Sequence, residues 1–289
     1  MKSKLILGTV QFGLNYGINN TVGKPSTRSI EKILDTAFNN GISLLDSAEA
    51  YGDSHERIGE YHQNSDNKFK VISKYSSKVK NLPSSIIERV KANIEILNVD
   101  DLYSYMFHSY SDFVDYFSLF RDDLLYLKSK GLIKKIGVSL YSNEEFEEVL
   151  KFDEIELIQL PFNLLDNDNN RGEILKKGKD KGVEIHTRSA FLQGLFFKNV
   201  NQLSTTLKPL KYYLNTLQSL CDKNHKMNDL ALNYACNKSY IDKVLIGVDN
   251  VNHLESNLLS EKIIIRNELI NEIEAINVKE TELLNPSNW

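Results

Sequence analysis

Short apolar runs and longer amphipathic stretches alternate along nearly the whole chain. Eight runs have the length and the β-branched or aromatic content of strands: Leu5 to Val10, Ile42 to Leu45, Phe69 to Ser73, Leu102 to Phe107, Ile136 to Val138, Leu157 to Leu160, Val183 to His186 and Val244 to Ile246. The segments between them carry apolar residues at helical spacing. Ser26 is an N-cap for a helix through Phe38 that turns Ile30, Ile33, Leu34 and Ala37 to one face, and Asn39, Asn40 and Gly41 stop it. Further helices are predicted from near Ser54, from Pro83-Ser84 with Ile86, Ile87, Val90, Ile94 and Leu97 inward, over Phe113 to Lys130 and over Asn143 to Leu150. Ile174 to Lys181, Leu207 to Cys221, Met227 to Cys236, Val251 to Leu259 and Asn267 to Ile276 complete the set, and a tail runs to Trp289. The polar stretches Gln11 to Lys24 and Asp166 to Arg171 read as loops, the second following Pro161.

Eight strands, each followed by a helix and with no Pro- or Ser-rich linker between them, predict a single-domain (β/α)8 barrel over residues 1–289, with a C-terminal helix and tail from about residue 266. A doubly wound sheet is the alternative. Against it, the turn Gly8-Thr9-Val10-Gln11-Phe12-Gly13 is no GxGxxG and is expected to open no helix. The 289 residues suffice for one barrel, which typically needs ~250. A net charge of −4 lacks the clustered basic surface that a nucleic-acid partner requires. No apolar run approaches the ~20 residues of a membrane span. Met1-Lys2-Ser3-Lys4 leads into an apolar segment without a small-residue cleavage site, which reads as a first strand and not a signal peptide. Cys221 and Cys236 form no CxxC, so reduced thiols in a cytoplasmic protein are expected.

In such barrels the chemistry sits at the C-terminal ends of the strands. Read in order, those ends carry Asp46 after the second strand, Lys74 after the third and His108 after the fourth, with Tyr51 in the loop following Asp46. Neighbouring strands lie ~4.8 Å apart, so consecutive strand ends bring these side chains within reach of one another. A phenol has a reference pKa near ~10. A neighbouring ammonium is expected to lower it, a carboxylate to hold that ammonium charged, and an imidazole to orient a bound carbonyl. Tyr51 would then protonate a carbonyl oxygen as hydride reaches the carbon, or run the reverse. Taken singly, each residue has an ordinary structural reading; the combination is what points to catalysis.

With that set in view, the sequence resembles the aldo-keto reductases. The matching positions are Leu7-Gly8-Thr9, Asp46 through Tyr51-Gly52 with Ser54 and Gly59, Lys74, His108, Ile136-Gly137-Val138-Ser139, and Leu245-Ile246-Gly247 through Asn257. The resemblance covers essentially the entire chain. It implies catalytic roles for Asp46, Tyr51, Lys74 and His108, with Tyr51 as proton donor, and a cofactor, NADP(H) or NAD(H), bound without a Rossmann fold. By position it implies Ser139 and Gln159 on the carboxamide, and Arg188 against the nicotinamide ring in a place that is usually aromatic. Ser189 and Gln193-Gly194 would follow the pyrophosphate, and Thr9, Gly247, Asp249, His253 and Asn257 complete the cofactor set. Leu140 departs from the family, which often has asparagine after the serine. Asp249 stands where a serine or basic group often meets the 2′-phosphate of NADP, and His253 where arginine or glutamine is common. A carboxylate repels a phosphate and suits a ribose diol, so the family points to NADP and Asp249 to NAD.

The implied substrate is a small-molecule carbonyl, aldehyde or ketone, with sugars suggested by likeness to a bacterial subgroup of carbohydrate metabolism, and the protein is expected to be a monomer or weak homo-oligomer. Two other classes compete. One is a nicotinamide-binding accessory or sensor subunit with little turnover, since some family members are channel partners. The other is a Schiff-base aldolase using Lys74, which an adjacent Asp46 disfavours by keeping the amine charged. No pairing of histidines and acids has metal spacing, so no metal site is expected. His55 is expected to be exposed in a first turn capped by Ser54, His62 and His225 to lie at the surface, and His186 to face inward as a core polar group. Tyr103 and Tyr105 are expected to share an orientation, and Tyr110, Phe113, Tyr116 and Phe117 to form either an aromatic pocket wall or core. Trp289 is expected over the barrel mouth or against the outer helices.

Overall fold

A computed structural model describes residues 3–18, 20, 23–80 and 82–289. Met1 and Lys2, included in the N-terminal reading above, and part of the loop after the first strand lie outside the described residues. Eight parallel strands close a barrel in sequence order: β1 (Leu5–Gly8), β2 (Leu44–Asp46), β3 (Lys70–Tyr75), β4 (Ser104–Phe107), β5 (Ile136–Ser139), β6 (Ile155–Pro161), β7 (Glu184–Arg188) and β8 (Lys243–Gly247). β1 closes the circle by pairing with β2 on one side and with β8 on the other. Strand alternation divides the apolar residues into two clusters. A small one, Ile6, Leu44, Ile72, Met106 and Leu157, forms a separate cluster with Tyr103 and Leu245 packed against it. The larger one fills the layer between strands and helices.

Helices α1 (Val10–Gly13), α2 (Thr27–Asn39), α3 (Ser54–Asn64), α4 (Ile86–Leu97), α5 (Tyr110–Ser129) and α6 (Asn143–Val149) alternate with the first strands. α7 (Asp168–Asp180), α8 (Lys211–Leu220), α9 (Met227–Cys236), α10 (Val251–Ser260) and α11 (Asn267–Glu274) follow, with 3₁₀ turns before α8 and in the tail. Ser26 caps α2 as expected, its hydroxyl accepting from Ser29 N at 3.2 Å. The turn after β1 does open a short helix, α1, because Gly13 lets that turn press against the Tyr51 loop: a Cβ there would lie 1.7 Å from Tyr51 O. α4 is capped by Ser85, past the expected Pro83-Ser84, and Asp53, not Ser54, takes the N-cap position of α3. Pro161 ends β6 instead of opening a loop.

Of the polar run Asp166 to Arg171, expected as a loop, Asp166 and Asn167 precede the helix and the rest is the first turn of α7. Its charges are spent internally: Arg171 donates to Asp166 at 2.8 and 2.9 Å and to Tyr141 O at 2.8 Å. Asn167 caps that helix through Asn169 N and also donates to Ile273 O and Ile276 O, tying α11 to the barrel.

Several side chains depart from expectation for the same reason, a partner distant in sequence. His62 is fully buried, its Nδ1 on Leu97 O at 2.8 Å and its Nε2 accepting from Phe69 N at 3.1 Å. Tyr103 and Tyr105 part company because regular β4 starts only at Ser104: Tyr103 donates to Glu184, and Tyr105 joins the outer layer and donates to Glu49. His186 is buried as expected, hydrogen-bonded to Glu184 at 2.6 Å. Phe113, Tyr116 and Phe117 stack with Tyr75, Phe107, Phe120 and Phe152 in the outer layer, away from any mouth. Trp289 folds back on the tail, donating to Leu283 O at 2.8 Å.

Gly13→Ala should cost on the order of 1–3 kcal/mol, because the obstacle is backbone and cannot rotate away. Urea unfolding would measure it, and an unchanged midpoint would show that the two loops do not meet this closely.

Candidate active site

Asp46 closes β2, Lys74 lies near the end of β3 and His108 directly follows β4, its N–H donating to Tyr75 O at 2.9 Å. The β2–β3 register sets Asp46 beside Ile72, which leaves Lys74 one pleat further up with its side chain on the same inner face. Lys74 and Asp46 form an ion pair in which both side chains are 1% exposed. Lys74 Nζ also donates to Ser47 O at 3.0 Å, and Asp46 Oδ2 accepts from Gln159 Nε2 at 2.8 Å. Thr9, proposed from sequence as a cofactor contact, sits beneath this pair, fully buried and outside the cavity lining. Its N–H and hydroxyl both donate to Asp46 O, at 3.0 and 3.1 Å, while Ser54 donates to its hydroxyl at 2.8 Å.

Above the pair stand two rings. Tyr51 and His108 meet edge to face with centroids 5.5 Å apart, and Lys74 Nζ lies 5.3 Å from the Tyr51 centroid. Burial, and then the Asp46 carboxylate, push the Tyr51 phenol well above its ordinary range, with the Arg188 guanidinium opposing them. The expectation that Lys74 would lower this phenol therefore fails: the ammonium is spent on Asp46. Burial also lowers the Lys74 ammonium, which Asp46 counters. His108 is pushed down to about 4, by burial first and by Lys74 second, so its imidazole is neutral near pH 7. The set at rest comprises a protonated phenol, a neutral imidazole and a self-neutralised ion pair.

Tyr51 and His108 open onto a cavity of about 720 Å³. Ser139, Gln159, Arg188, Ser189, Gln193, Gly247, Asp249, His253 and Asn257, all singled out from sequence, line the same cavity. Tyr16, Tyr141, Phe191, Phe197 and Gln11 line it too and were missed; the rule that the loops after barrel strands build the mouth would have found most of them. Gln193 donates to Tyr16 OH at 2.9 Å, joining the loop after β1 to the loop after β7. The second loop turns through left-handed backbone at Ser189, Leu192, Gln193 and Gly194. Arg188 lays its guanidinium 4.0 Å from the centre of the Tyr141 ring and donates to Leu140 O at 3.0 Å. At the far end Asp249 keeps one carboxylate oxygen buried without a hydrogen-bond partner among the described residues, and the other lies 3.7 Å from His253 Nδ1.

The model of the aldo/keto reductase family matches residues 4–278. The chain belongs to that family. Its members are oxidoreductases of the carbonyl/alcohol type that use NAD(P)H. Curated relatives include the NADH-specific methylglyoxal reductase of Escherichia coli, 31% identical over 120 residues, which is 40% of this chain and 36% of that protein. The chloroplastic pyridoxal reductase of Arabidopsis thaliana is 24% identical over 266 residues, 79% of this chain and 71% of its own. The chain thus aligns with little more than a third of the first of these relatives. Among solved structures, an aldo-keto reductase of Bacillus halodurans superposes with a TM-score of 0.74 at 19% identity, covering 96% and 92% of the two chains. The glycerol dehydrogenase of Gluconobacter oxydans gives 0.73 at 18% identity over 95% and 91%. At these identities the two structures establish a shared fold.

In this aldo-keto reductase the loop carrying Tyr51 is held on both sides. Before it, Glu49 is buried and accepts from Arg89, from Asn93 at 3.0 Å and from Tyr105 at 2.5 Å, while its N–H donates to Lys74 O at 3.2 Å. After it, His55 is buried, not exposed as expected, with Nε2 3.2 Å from Ser73 Oγ, which donates in turn to Asn93 at 2.8 Å. Ser54, no longer the cap, reaches Thr9 instead. Among the described residues no group of three His, Cys, Asp or Glu side chains could hold a metal ion, and no helix is long and apolar enough to cross a membrane.

His55 is held down at about 4 by burial, below its unfolded value of about 6.5. Between those values the unfolded chain binds the extra proton, so stability is present above pH 6.5 and is lost as pH falls toward 4. From pH 7 to 5 that loss is on the order of 2 kcal/mol for this group. His55→Gln should flatten the decline of the urea midpoint over this window, and an equally steep decline would show that His55 is not the titrating group.

Proposed function

We propose that this aldo-keto reductase is an NAD(H)-dependent reductase of a small, polar aldehyde or ketone. The observation that carries the reading is a protonated phenol and a neutral imidazole, edge to face, over a buried lysine–carboxylate pair and lining a cavity of about 720 Å³. The nicotinamide, when bound, supplies the hydride. Tyr51 keeps its proton at neutral pH and yields it to the carbonyl oxygen as negative charge develops there. Arg188, the cation that opposes the rise of the phenol, stabilises the phenolate left behind, while the closed pair of Lys74 and Asp46 supports the ring from below. His108, neutral and beside Tyr51, orients the carbonyl through a hydrogen bond. Lys74 is a poor Schiff-base nucleophile in this setting, because its nitrogen is engaged by both Asp46 and Ser47 O.

The cavity residues fit the cofactor. Gln159 spends its amide N–H on Asp46, which leaves its carbonyl oxygen for a carboxamide, with Ser139 as the adjacent strand-end hydroxyl. Ser189, Gln193, Gly247 and Asn257 supply polar or unobstructed wall between the two ends, and His253 stands in the first turn of α10. Asp249 decides the choice of nucleotide. Its carboxylate lines the cavity, where it accepts hydrogen bonds from a ribose diol and repels a 2′-phosphate. The methylglyoxal, pyridoxal and glycerol named for the similar proteins are small and polar, in keeping with a lining rich in hydroxyls and amides.

Tyr51→Phe should lower turnover with a carbonyl panel by about 10²- to 10⁴-fold and leave the NADH dissociation constant nearly unchanged; retention of full activity would remove Tyr51 from the mechanism. Asp249→Ser should raise affinity for NADPH relative to NADH, read by equilibrium titration. An unaltered ratio would take Asp249 out of the adenosine site.

A further inference from the structure

We propose that Arg188 makes this site bind the reduced nicotinamide in preference to the oxidised one. The inference rests on the cofactor reading above. A charge census at the Tyr51 end of the cavity carries it. Lys74 is matched by Asp46, Tyr51 is a phenol, and the His108 imidazole is neutral near pH 7. Arg188 is different: among the described residues its guanidinium donates to the neutral Leu140 O and rests on the neutral Tyr141 ring, with no carboxylate paired to it. Among the described lining residues it is therefore the one uncompensated charge at that end. The other formally charged lining residue, Asp249, lies in the loop after β8 beside His253.

Its placement puts that charge against the nicotinamide. Arg188 pairs with Pro161, one pleat beyond Gln159, and Gln159 pairs with Ser139. Arg188 thus ends its strand beside the strands of both residues suited to the carboxamide, and its guanidinium, held on the carbonyl that follows Ser139, presents a flat surface already backed by an aromatic ring. Hydride transfer moves two electrons and a proton from the ring to the carbonyl carbon, while Tyr51 gives its proton to the oxygen. The ring passes from neutral to a charge of +1. A fixed cation in contact raises the free energy of the oxidised ring and hardly affects the reduced one. The adenosine, ribose and pyrophosphate portions are identical in both forms and cancel.

Separate equilibrium titrations of NADH and NAD⁺ with the full chain would test this, using the unaltered protein, Arg188→Gln, Arg188→Tyr and Arg188→Lys. The ratio of the NAD⁺ to the NADH dissociation constant should fall about tenfold in the Gln and Tyr variants, which corresponds to about 30 mV in the bound couple's potential. Arg188→Tyr keeps a stacking surface without charge, so lost stacking cannot produce its change. Arg188→Lys should retain the ratio although both nucleotides bind more weakly. Unchanged ratios in the Gln and Tyr variants, with both nucleotides still bound, would overturn the proposal and leave the proposed function standing. Failure of the unaltered protein to bind any nicotinamide nucleotide would overturn both.

Discussion

The buried pair of Lys74 and Asp46 is the constraint on which the rest of the site depends. Taking both ions out of water costs several kcal/mol each, and their attraction offsets this only if the remaining donors and acceptors are met. Here they are. Ser47 O takes a second ammonium proton, and Gln159, from the far side of the barrel, donates to the second carboxylate oxygen. Thr9 fixes the Asp46 backbone with two donors from β1's end. Contributions from β1, β2, β3 and β6 converge on one ion pair, which only a closed barrel allows. Because the pair is closed on itself it exports little charge, and Tyr51 above it stays protonated.

A proton donor must also be held in place, and Tyr51 belongs to a loop. The barrel meets that difficulty with a buried polar network behind the loop. Glu49 is clamped by Arg89, Asn93 and Tyr105, and Arg89 in turn stacks on Tyr75 at 4.4 Å and donates to Ser76 O at 3.1 Å. Asn93 also accepts from Ser73, which bonds His55 on the far side of Tyr51. Removing one partner of such a network leaves a buried charge or dipole uncompensated, so its members act together. Gly13 closes the remaining side, since any side chain there would strike the Tyr51 carbonyl. Position is thus imposed from three directions on a residue without regular structure of its own.

Much of this was legible in the sequence because a parallel barrel converts linear order into spatial order. Asp46, Lys74 and His108 end three successive strands, so their convergence follows from topology alone, and the loop rule carries Tyr51 with them. What one dimension could not show was pairing across the layers. His55 and His62 read as exposed because they stand on a polar helix, yet Ser73, Leu97 and Phe69 bury them. Asp168 to Arg171 read as loop because an ion pair closed between a helix's first turn and the residue before its cap looks the same in sequence as solvated charges. The phenol's protonation is the most instructive miss. A lysine beside a tyrosine lowers its pKa only while the ammonium is free, and whether it is free depends on which partner is nearer.

That same reasoning about compensated and uncompensated charge governs the cavity. Its lining holds one guanidinium near Tyr51 and one carboxylate after β8, so it carries almost no net charge along its length. A dinucleotide bound there would owe little to long-range attraction and much to shape, hydrogen bonds and buried area. Each fixed charge then acts locally, on the piece of ligand it touches. Asp249 bears on the ribose, where a phosphate or a diol makes the difference, and Arg188 bears on the ring, where a charge of zero or +1 does. Two isolated charges in an otherwise neutral cleft discriminate more sharply than the same charges in a strongly cationic one, because no surrounding field masks the difference each one reads.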